Sequence, residues 1–563
     1  MRKIYLLSSL FLFWFTGTIA QTQTVGLFTA ASGKYDDGYV LFPPYQNCDT
    51  TYLVNRCGKL MNKWPSIYTP GADAYLLSDG SILRAGHYPN VLFDSCGCGT
   101  GGIIQRIDWN GNVVWHYIIS DNTEVQSHDI YPMPNGNILV DVWENITAAQ
   151  AIAAGRNPGE LGTRLYCPKI MEIKPIGTDS AQIVWTWRLW DHLVQDFDAT
   201  KLNFGSVNSH PELVNLNYVN TGAGPATVPD WTHLNSVVYN VSLDQILLSA
   251  HNFDEIWIID HSTSSTTASG HSGGKYKKGG DLLYRWGNPL AYNRGTSKDN
   301  KLYEQHDPEW ITAGKYKGQI IVFNNGAVRP TGMPGSSVDV INPPMDSAGY
   351  YTSPGSGIYG PSLLSWTYPP VLSTSFLAPL MGSVQVLPNG NVLIDNPNVG
   401  KFFEIDSTNS IVWQYVNPVC NGAPVAQYAP AISNVVYRCE FYPTSYLASS
   451  GLKLEPGKEI ESNPIPTTCT TPPPNTGSPL LTLQRGQISV YPNPSGDIVT
   501  IETTEKSAIR KILVMNITGR VLQTAEGITY KTQLNISKLA DGMYLLMTED
   551  VNGVLTQTKL LKQ

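Results

Sequence analysis

The stretch Ser383-Val-Gln-Val-Leu-Pro-Asn-Gly-Asn-Val-Leu393 repeats a pattern that occurs twice earlier in the chain. The earlier copies are Asp129-Ile-Tyr-Pro-Met-Pro-Asn-Gly-Asn-Ile-Leu139 and Ala74-Tyr-Leu-Leu-Ser-Asp-Gly-Ser-Ile-Leu83. Asn-Gly or Asp-Gly between alternating apolar residues is a strong hairpin signal, because both central positions of a type I′ turn need a positive φ. The repeated unit is therefore predicted to be a strand, a tight turn and a returning strand.

A second repeated mark is a tryptophan beside aliphatic, basic or aromatic neighbours in an apolar strand. It occurs at Trp115, Trp187, Trp286, Trp366 and Trp413. The last two are close enough in sequence for one four-stranded blade, and the longer gaps leave room for loop insertions. These five marks, with a last unit at 434–442 that the N-terminal segment would complete, predict an all-β, six-bladed β-propeller. The alternative is a pair of large β-sandwiches.

The two ends of the chain differ from this repeating region. In residues 1–20 a basic start precedes an apolar run and small residues, which predicts a secretory signal peptide. The propeller is then assigned to residues 21–452, a Pro- and Thr-rich linker to 453–485, and a C-terminal domain of short alternating strands to 486–563. No other apolar run approaches the 18 residues of a membrane helix, so we expect no transmembrane segment.

The composition argues against one class of partner. The formal net charge is −8, charged residues make up 15% of the chain, and the sequence has no basic stripe. We therefore expect no nucleic-acid partner. The 50 glycines and 39 prolines are typical of a turn-rich, extracellular β protein.

The chain has eight cysteines, and an exported protein folds in an oxidising compartment. Short sequence separation alone predicts the disulfides Cys48–Cys57 and Cys420–Cys439. The Cys-Gly-Cys run at residues 96–98 lacks the C-x-x-C spacing of a zinc site or a thioredoxin motif. We expect no metal there.

The C-terminal stretch carries four motifs in a fixed order: Tyr491-Pro-Asn-Pro494, Gly519-Arg520, Asp541-Gly-Met-Tyr544 and Lys559-Leu-Leu-Lys562. It resembles the type A C-terminal sorting domain of the Bacteroidetes type IX secretion system. The resemblance implies a small β-sandwich that directs the protein across the outer membrane, to the cell surface or the outside. It also implies the secretion machinery as a partner. An independent adhesive β-module is the alternative.

Three histidines, His128, His233 and His306, each precede or begin a predicted strand in a similar polar context. In a propeller the first strand of each blade lines the axis, so residues from distant blades can converge there. His251 follows the His233 strand after one hairpin and is expected near the same mouth. The alternative for each is a hydrogen-bonded histidine with a structural role.

The segments around these histidines are similar to the bacterial arylsulfate sulfotransferases. The residues that carry the similarity are Ser127-His128-Asp129 before Pro-Asn-Gly-Asn, Asp230-Trp-Thr-His-Leu-Asn-Ser236, and Gln305-His306-Asp307 with the later Phe323-Asn-Asn-Gly326. The resemblance implies a six-bladed propeller that moves a sulfuryl group from a phenolic sulfate ester to a phenol acceptor, without a nucleotide donor.

The same resemblance implies roles for single residues. His306 corresponds to the nucleophile that is transiently sulfurylated, His128 and His233 to the other two pocket histidines, and Asn235 to a sulfate-binding asparagine. The family has an arginine where this chain has His251, and an imidazole is cationic only part of the time near neutral pH. This departure predicts weaker and more pH-sensitive turnover, or a different substrate.

Sulfuryl chemistry accounts for these residue types. A neutral imidazole attacks the anionic sulfuryl group without charge repulsion. Protonated His128 or His233 would donate to the departing phenolic oxygen, while Asn235 and His251 would hold the sulfonate oxygens. No metal and no other cofactor is expected.

Two other functions remain open at this point. A surface propeller could bind sulfated glycans or other anions without turnover, which the replacement of arginine by His251 favours. Three converging histidines could also bind Zn²⁺ or Cu²⁺, since three histidines are a known ligand set.

Overall fold

The computed structural model describes residues 22–94, 99–219, 228–329, 335–469, 488–503, 509–516, 521–526, 530–550 and 555–563. They form two units, one within residues 1–471 and the other within 472–563. The predicted signal peptide, the cysteines at 96 and 98, and residues 470–485 of the predicted linker lie outside the described residues. Within the described residues, no helix is both long and apolar enough to cross a membrane.

The described part of the first unit contains six sheets of four or five antiparallel strands, numbered here from the N-terminus and given from the inner strand outward. We interpret each sheet as one blade. Sheet 1 consists of Glu440–Pro443, Gly38–Phe42, Thr51–Asn55 and Leu60–Trp64. Sheet 2 consists of Pro70–Leu76, Ile82–His87, Gly102–Ile107 and Val113–Ile118. Sheet 3 consists of Glu124–Pro132, Ile138–Thr147, Arg164–Ile176 and Ser180–Arg188.

Sheets 4 to 6 repeat this order. Sheet 4 consists of Leu234–Asn240, Gln245–Ala250, Glu255–Asp260 and Tyr284–Trp286. Sheet 5 consists of His306–Trp310, Ile320–Asn324, Ser337–Ile341 and Trp366–Tyr368. Sheet 6 consists of Val384–Val386, Val392–Asn396, Lys401–Ile405, Ile411–Val416 and, outermost, Gly26–Ala30.

Short elements decorate these sheets. Two small sheets pair Leu193–Val194 with Val214–Asn215 and Val419–Cys420 with Ala423–Pro424. The α-helices of the described residues are Ala148–Ala153 and Ser265–Ala268. Single 3₁₀ turns occur at Pro158–Glu160, Leu189–Asp191, Val207–Ser209, His251–Phe253, Pro289–Tyr292, Ser297–Asp299, Pro397–Val399 and Thr444–Leu447. The all-β prediction is confirmed.

The two ends of the first unit close the ring of sheets. Gly38–Phe42 pairs with Glu440–Pro443, with Val40 opposite Phe441. The side chain of Gln385, in the inner strand of sheet 6, accepts from the Phe441 N–H at 2.8 Å and donates to its carbonyl at 3.2 Å. The expectation that an N-terminal segment completes the last unit is therefore confirmed.

Tryptophans on the fourth strands of sheets 1, 2, 3, 4 and 6 join these sheets to the next. Their indole N–H groups donate to backbone carbonyls further round the ring: Trp64 to Asp108, Trp115 to Ser180, Trp187 to Gly280, Trp286 to Pro361 and Trp413 to Arg56. All five indoles are buried, so each hydrogen bond satisfies a polar group that would otherwise be costly to bury. This explains the tryptophan repeat as packing between blades.

One buried guanidinium, that of Arg438, lies where the inner strands meet. Its Nη1 is 2.8 Å from Asp73 Oδ2 and 3.0 Å from Asp129 Oδ2. Its Nε is 3.3 Å from Asp307 Oδ1, and its Nη2 donates to the Asn235 carbonyl at 2.7 Å. These partners belong to the inner strands of sheets 2, 3, 5 and 4, so one side chain connects four sheets to its own.

The second unit is a β-sandwich. One sheet contains Ile488–Tyr491, Ile498–Thr503 and Lys531–Asn535. The other contains Val521–Glu526, Ile509–Asn516, Gly542–Asp550 and Leu555–Lys562. Val499 and Leu534 of the first sheet share one buried core with Ile512, Leu546 and Leu560 of the second. This agrees with the sandwich implied by the sorting-domain motifs.

The disulfide predictions are wrong. Cys57 pairs with Cys469, which lies 412 residues further along the chain. Cys48, Cys420 and Cys439 are free thiols. Proximity in sequence misleads here, because Cys420 lies in a small outer hairpin whereas Cys439 adjoins the inner strand of sheet 1.

The first part of the predicted linker runs along sheet 1. The Leu60 N–H donates to the Lys458 carbonyl at 3.0 Å, and the Gly457 N–H donates to the Leu60 carbonyl at 2.8 Å. This path carries the chain back to sheet 1 and explains why Cys469 reaches Cys57. The boundaries assigned to the propeller, linker and C-terminal domain stay a prediction.

Replacing Arg438 with methionine should destabilise the first unit strongly, because three buried carboxylates would lose their counter-charge. We expect the free energy of unfolding to fall by about 3–5 kcal/mol, measured by urea denaturation of the mature protein. Arg106→Met is the matched control, since its ion pair with Asp79 is exposed and should contribute at most about 1 kcal/mol. Equal losses in the two variants would contradict the central role of Arg438.

Candidate active site

The structure brings the four predicted histidines together in one chain of contacts. The ring centroids of His128 and His233 are 4.4 Å apart, those of His233 and His251 are 4.6 Å apart, and those of His251 and His306 are 5.2 Å apart. We call these four residues the histidine tetrad. They come from sheets 3, 4 and 5, so the tetrad exists only when those sheets are assembled.

Bulges in the inner strands aim three of these side chains. The pairing of the inner strand with its neighbour shifts register next to His128, His233 and His306 in sheets 3, 4 and 5. His128 and His233 have φ values of 36° and 49°, and Asp307, which follows His306, has 51°. A bulge turns one side chain away from the regular alternation of a strand, and bulges often occur beside active sites. In this protein the bulges turn the imidazoles of His128, His233 and His306 into the tetrad.

His251 reaches the tetrad from a different element. It begins the 3₁₀ turn His251–Phe253 at the end of the second strand of sheet 4. Its backbone N–H donates to the His233 carbonyl at 3.1 Å, which fixes the turn against the inner strand. The expectation that His251 lies at the same mouth as His233 is confirmed.

Asn325 determines which nitrogen of His306 carries the proton. The Asn325 amide nitrogen donates to the Ala378 and Met381 carbonyls, each at 2.8 Å, so its oxygen must face His306. That oxygen lies 2.8 Å from His306 Nδ1. Since an amide oxygen can only accept, Nδ1 carries the hydrogen and the lone pair of neutral His306 is on Nε2.

The same reasoning applies to His251. The Asn252 amide nitrogen donates to the Asp230 carbonyl at 3.0 Å, and its oxygen lies 2.8 Å from His251 Nδ1. Nδ1 of His251 therefore carries a hydrogen, and neutral His251 has its lone pair on Nε2. In that form Nε2 cannot donate to an anion, whereas a guanidinium always can.

His233 and His128 have different partners. Asp230 Oδ2 is hydrogen-bonded to His233 Nδ1. His128 Nδ1 lies 2.7 Å from the Ser127 hydroxyl. Of the tetrad, His233 is thus the ring with a carboxylate directly hydrogen-bonded to it.

Burial keeps most of the tetrad neutral. It lowers the pKa of His306 from 6.5 to about 3, and the nearby guanidinium of Arg438 adds to the effect. It also lowers the pKa of His128 and of His251 well below the ordinary value. Near neutral pH these three rings are therefore uncharged.

A glycine covers His128. The His128 N–H donates to the Gly99 carbonyl at 2.9 Å, and a Cβ at Gly99 would lie 2.0 Å from His128 Nε2. Gly99 also has a φ of 53°, so it suits this position for both steric and conformational reasons. His233, with 17% of its side chain exposed, is more accessible than His128, which is 3% exposed.

Asn235 lies beside the tetrad but is oriented by the backbone. Its amide nitrogen donates to the Gln305 carbonyl at 3.0 Å, next to His306. Its oxygen is buried and has no hydrogen-bond partner among the described residues. The second hydrogen of the amide group is the one left for a ligand, so its role in sulfate binding stays a prediction.

Several residues around the tetrad were not assigned a role from sequence. Asp230 and Asn325 stand inside the motifs that carry the family resemblance, which is the signal that points to them. The Tyr437 ring lies near both His128 and His306, with centroids 6.5 and 6.4 Å away, and its hydroxyl donates to the Asn235 carbonyl at 2.9 Å. Tyr437 lies far along the sequence from these motifs, and no motif of its own points to it.

The metal hypothesis for the tetrad gains no support. Within the described ranges, the group of histidine and acidic ligand atoms that lie within 4.8 Å of one another is His192, His271 and Asp281, which is separate from the tetrad.

Residues 95–341 match the family model of arylsulfotransferase (ASST), and this range includes the whole tetrad. Residues 489–563 match the family model of the secretion system C-terminal sorting domain. The chain carries an arylsulfotransferase domain and a secretion sorting domain. The sorting domain indicates secretion across the outer membrane, to the cell surface or the outside. A search of curated proteins found no match to the chain.

Several solved structures are weakly similar to this chain. A protein of unknown function from Bacteroides caccae is 11% identical, covers 71% of this chain and 98% of its own, and has a TM-score of 0.37. A putative 6-phosphogluconolactonase from Bacteroides fragilis is 11% identical, with 73% and 99% covered and a TM-score of 0.34. An inactive virginiamycin B lyase from Staphylococcus aureus, bound to quinupristin, is 10% identical, with 69% and 88% covered and a TM-score of 0.30. Similarity at this level carries no functional argument.

The low pKa of His306 predicts a loss of stability in acid. In the unfolded chain this ring takes up a proton as the pH falls below about 6.5, whereas the folded protein resists protonation down to about 3. Stability is therefore lost as the pH falls through this window. In His306→Gln, denaturant unfolding at a series of pH values should show a slope that is smaller by about 1.4 kcal/mol per pH unit.

Tyr437→Phe is the matched control for this slope. It removes a hydrogen bond in the same pocket, and burial raises the pKa of this phenol, so no group that titrates in acid is lost. We expect a constant offset in the free energy of unfolding with an unchanged slope. If His306→Gln retains the wild-type slope, His306 is not held neutral by the fold.

Proposed function

We propose that this exported protein transfers a sulfuryl group from a phenolic sulfate ester to a phenol acceptor, through a sulfohistidine at His306 and without a nucleotide donor. The observation that carries the proposal is the hydrogen bond from His306 Nδ1 to Asn325, within a tetrad that lies in the arylsulfotransferase domain. It leaves the lone pair on Nε2, and the low pKa keeps that lone pair free near neutral pH.

The first half-reaction forms one bond and breaks one. His306 Nε2 bonds to sulfur as the bond from sulfur to the phenolic oxygen breaks, and the electron pair of that bond stays on the departing oxygen. Because the nucleophile is neutral, it is not repelled by the sulfonate oxygens. The sulfurylated ring becomes cationic, and the Asn325 oxygen accepting from Nδ1–H stabilises this charge. Asn325 is thus a positioning residue.

His233 is the proposed proton donor to the departing phenol. A phenol has a pKa of about 10, so protonation of its oxygen strongly favours departure. The Asp230 carboxylate supports a protonated His233, whereas His128 has a lowered pKa and lies under Gly99. In the second half-reaction neutral His233 removes the proton of the incoming phenol, whose oxygen takes the sulfuryl group from His306.

His251 limits how the sulfonate is held. As a neutral ring it offers a lone pair, so it binds a sulfonate oxygen only after taking up a proton on Nε2. Anion binding and protonation are therefore coupled at His251, and an acidic pH favours both. Asn235 is the uncharged partner proposed for the same oxygens.

This limit favours a second candidate function, which is anion binding without turnover. A site that binds sulfated glycans or other anions needs a donor to the sulfate but no nucleophile. The replacement of the family arginine by His251 is the observation in its favour. An aryl sulfate that binds reversibly and yields no product would support it.

His306→Ala should abolish transfer. The mature protein is incubated with 4-nitrophenyl sulfate and a second phenol, and the sulfated acceptor is quantified by mass spectrometry. We expect the rate to fall by on the order of 10³ or more, because the substitution removes the proposed nucleophile. With donor alone, the wild-type peptide containing His306 should gain the mass of one SO₃ group.

His210→Ala is the control, since this exposed histidine lies outside the tetrad and pairs with Glu212. It should transfer at the wild-type rate. Transfer that persists in His306→Ala would overturn the nucleophile. Binding without product in the wild type would favour the second candidate function.

His251→Arg should strengthen donor binding and remove its pH dependence. A permanent guanidinium replaces a ring that must be protonated first, and a hydrogen bond to a charged group typically contributes about 1.5–3 kcal/mol. We therefore expect the KM for the donor to fall about tenfold or more at neutral pH. In the wild type, KM should instead improve as the pH is lowered. His251→Gln, which cannot be protonated, is the matched variant, and a wild-type pH profile in His251→Gln would contradict the role of His251.

A further inference from the structure

A second group of ligand-type side chains lies outside the tetrad, where a loop of sheet 4 meets the end of sheet 3. His192 follows the outer strand of sheet 3, while His271 and Asp281 lie at the two ends of the glycine-rich loop between the third and fourth strands of sheet 4. One ligand atom from each of the three lies within 4.8 Å of the others. Neither the family resemblance nor the proposed reaction uses them.

Asp281 joins the two imidazoles. Its Oδ1 lies 2.8 Å from His192 Nδ1 and 2.7 Å from His271 Nδ1. On the far side, His192 Nε2 lies 2.8 Å from the Ala268 carbonyl. A carbonyl only accepts, so Nε2 carries a hydrogen and Nδ1 is the nitrogen that points to Asp281. Metal-binding histidines commonly donate their other N–H to a backbone carbonyl in this way.

The surroundings hold His192 rigidly. The ring is fully buried and stacks on Trp187, with centroids 5.7 Å apart and an interplanar angle of 5°. The Trp187 indole donates to the Gly280 carbonyl at 2.7 Å. A Cβ at Gly280 would lie 2.6 Å from His192 Nε2, so a glycine is required for the loop to approach this closely.

His271 gives the group access to solvent. Its side chain is 60% exposed, whereas that of Asp281 is 7% exposed. An ion at this point would thus have two buried ligands, one ligand at the surface, and a side open to water. This matches a tetrahedral ion with three protein ligands and one water molecule.

We propose that His192 Nδ1, His271 Nδ1 and Asp281 form a binding site for Zn²⁺. Two imidazoles and a carboxylate are a ligand set that zinc uses, whereas Mg²⁺ and Ca²⁺ prefer oxygen ligands alone. Zinc–ligand bonds of about 2.0–2.1 Å place tetrahedral ligands roughly 3.3 Å apart. The two contacts of Asp281 Oδ1 with the imidazole nitrogens, at 2.8 and 2.7 Å, would each lengthen by about half an ångström to reach that spacing.

Zinc binding at this site keeps the outer hydrogen bond of His192. Coordination through Nδ1 leaves Nε2–H donating to the Ala268 carbonyl. The ion then links the glycine-rich loop of sheet 4 to the end of sheet 3.

Isothermal titration of the metal-free mature protein with Zn²⁺ alone tests the site. We expect one equivalent of Zn²⁺ to bind, and no comparable binding of Mg²⁺. His271→Ala should weaken binding by at least about tenfold. This variant changes an exposed ring, so the fold should be preserved, and Asp281→Asn provides a second test. His210→Ala is the matched control, because His210 is also an exposed histidine paired with one carboxylate, Glu212, but lacks a third ligand.

Zinc affinity that is unchanged in both His271→Ala and Asp281→Asn would overturn the site, as would the absence of zinc binding in the wild type. Zinc binding that is lost in His251→Ala but retained in His271→Ala would place the ion at the tetrad instead. These measurements do not involve sulfuryl transfer, so failure of the zinc site leaves the proposed reaction untouched.

Discussion

The interaction on which the rest of the structure depends is the ion cluster of Arg438. Its carboxylate partners Asp129 and Asp307 directly follow His128 and His306 in the sequence. Because successive residues of an extended strand point in different directions, anchoring each aspartate on the axis directs the preceding imidazole to the tetrad. The same carboxylates also receive backbone N–H groups from the next inner strand, from Val237 to Asp129 and from Val384 to Asp307, each at 2.8 Å. The cluster that closes the ring is therefore also what aims the histidines.

Closure has an electrostatic consequence for chemistry. The packing that removes water from the axis raises the pKa of Asp73 to about 7 and lowers that of His306 to about 3, because burial disfavours both charged forms. A neutral imidazole suits attack on a sulfuryl group, but the same desolvation hinders any imidazole that must hold an anion. A guanidinium escapes this conflict because it stays charged when buried. His251 does not, so the replacement of the family arginine bears directly on the proposed function.

Local patterns in the sequence were sufficient for the strand repeat and for the convergence of His128, His233 and His306, because these three histidines occupy the same place in a repeated unit. They were insufficient for contacts made across the ring. Arg438 stands in the last repeat, yet its partners are hundreds of residues earlier, and nothing near it marks them. The disulfide between Cys57 and Cys469 could not be predicted for the same reason, because it depends on the return path of the chain along sheet 1. The protonated nitrogen of His306 depends on the orientation of the Asn325 amide, which two distant carbonyls decide.

The two histidine groups of this protein show how the partner of Nδ1 selects the chemistry of a ring. In the tetrad, His128, His251 and His306 bond to the neutral groups of Ser127, Asn252 and Asn325. The amide oxygens of Asn252 and Asn325 fix the tautomers of His251 and His306, and none of the three partners adds a negative charge. A cation therefore gains little there, while a lone pair stays available for attack. At His192 and His271 both rings face one carboxylate, whose charge repels an anionic substrate and attracts a cation. Similar imidazoles, placed in neighbouring sheets, are thus suited to opposite ligands by the side chains behind them.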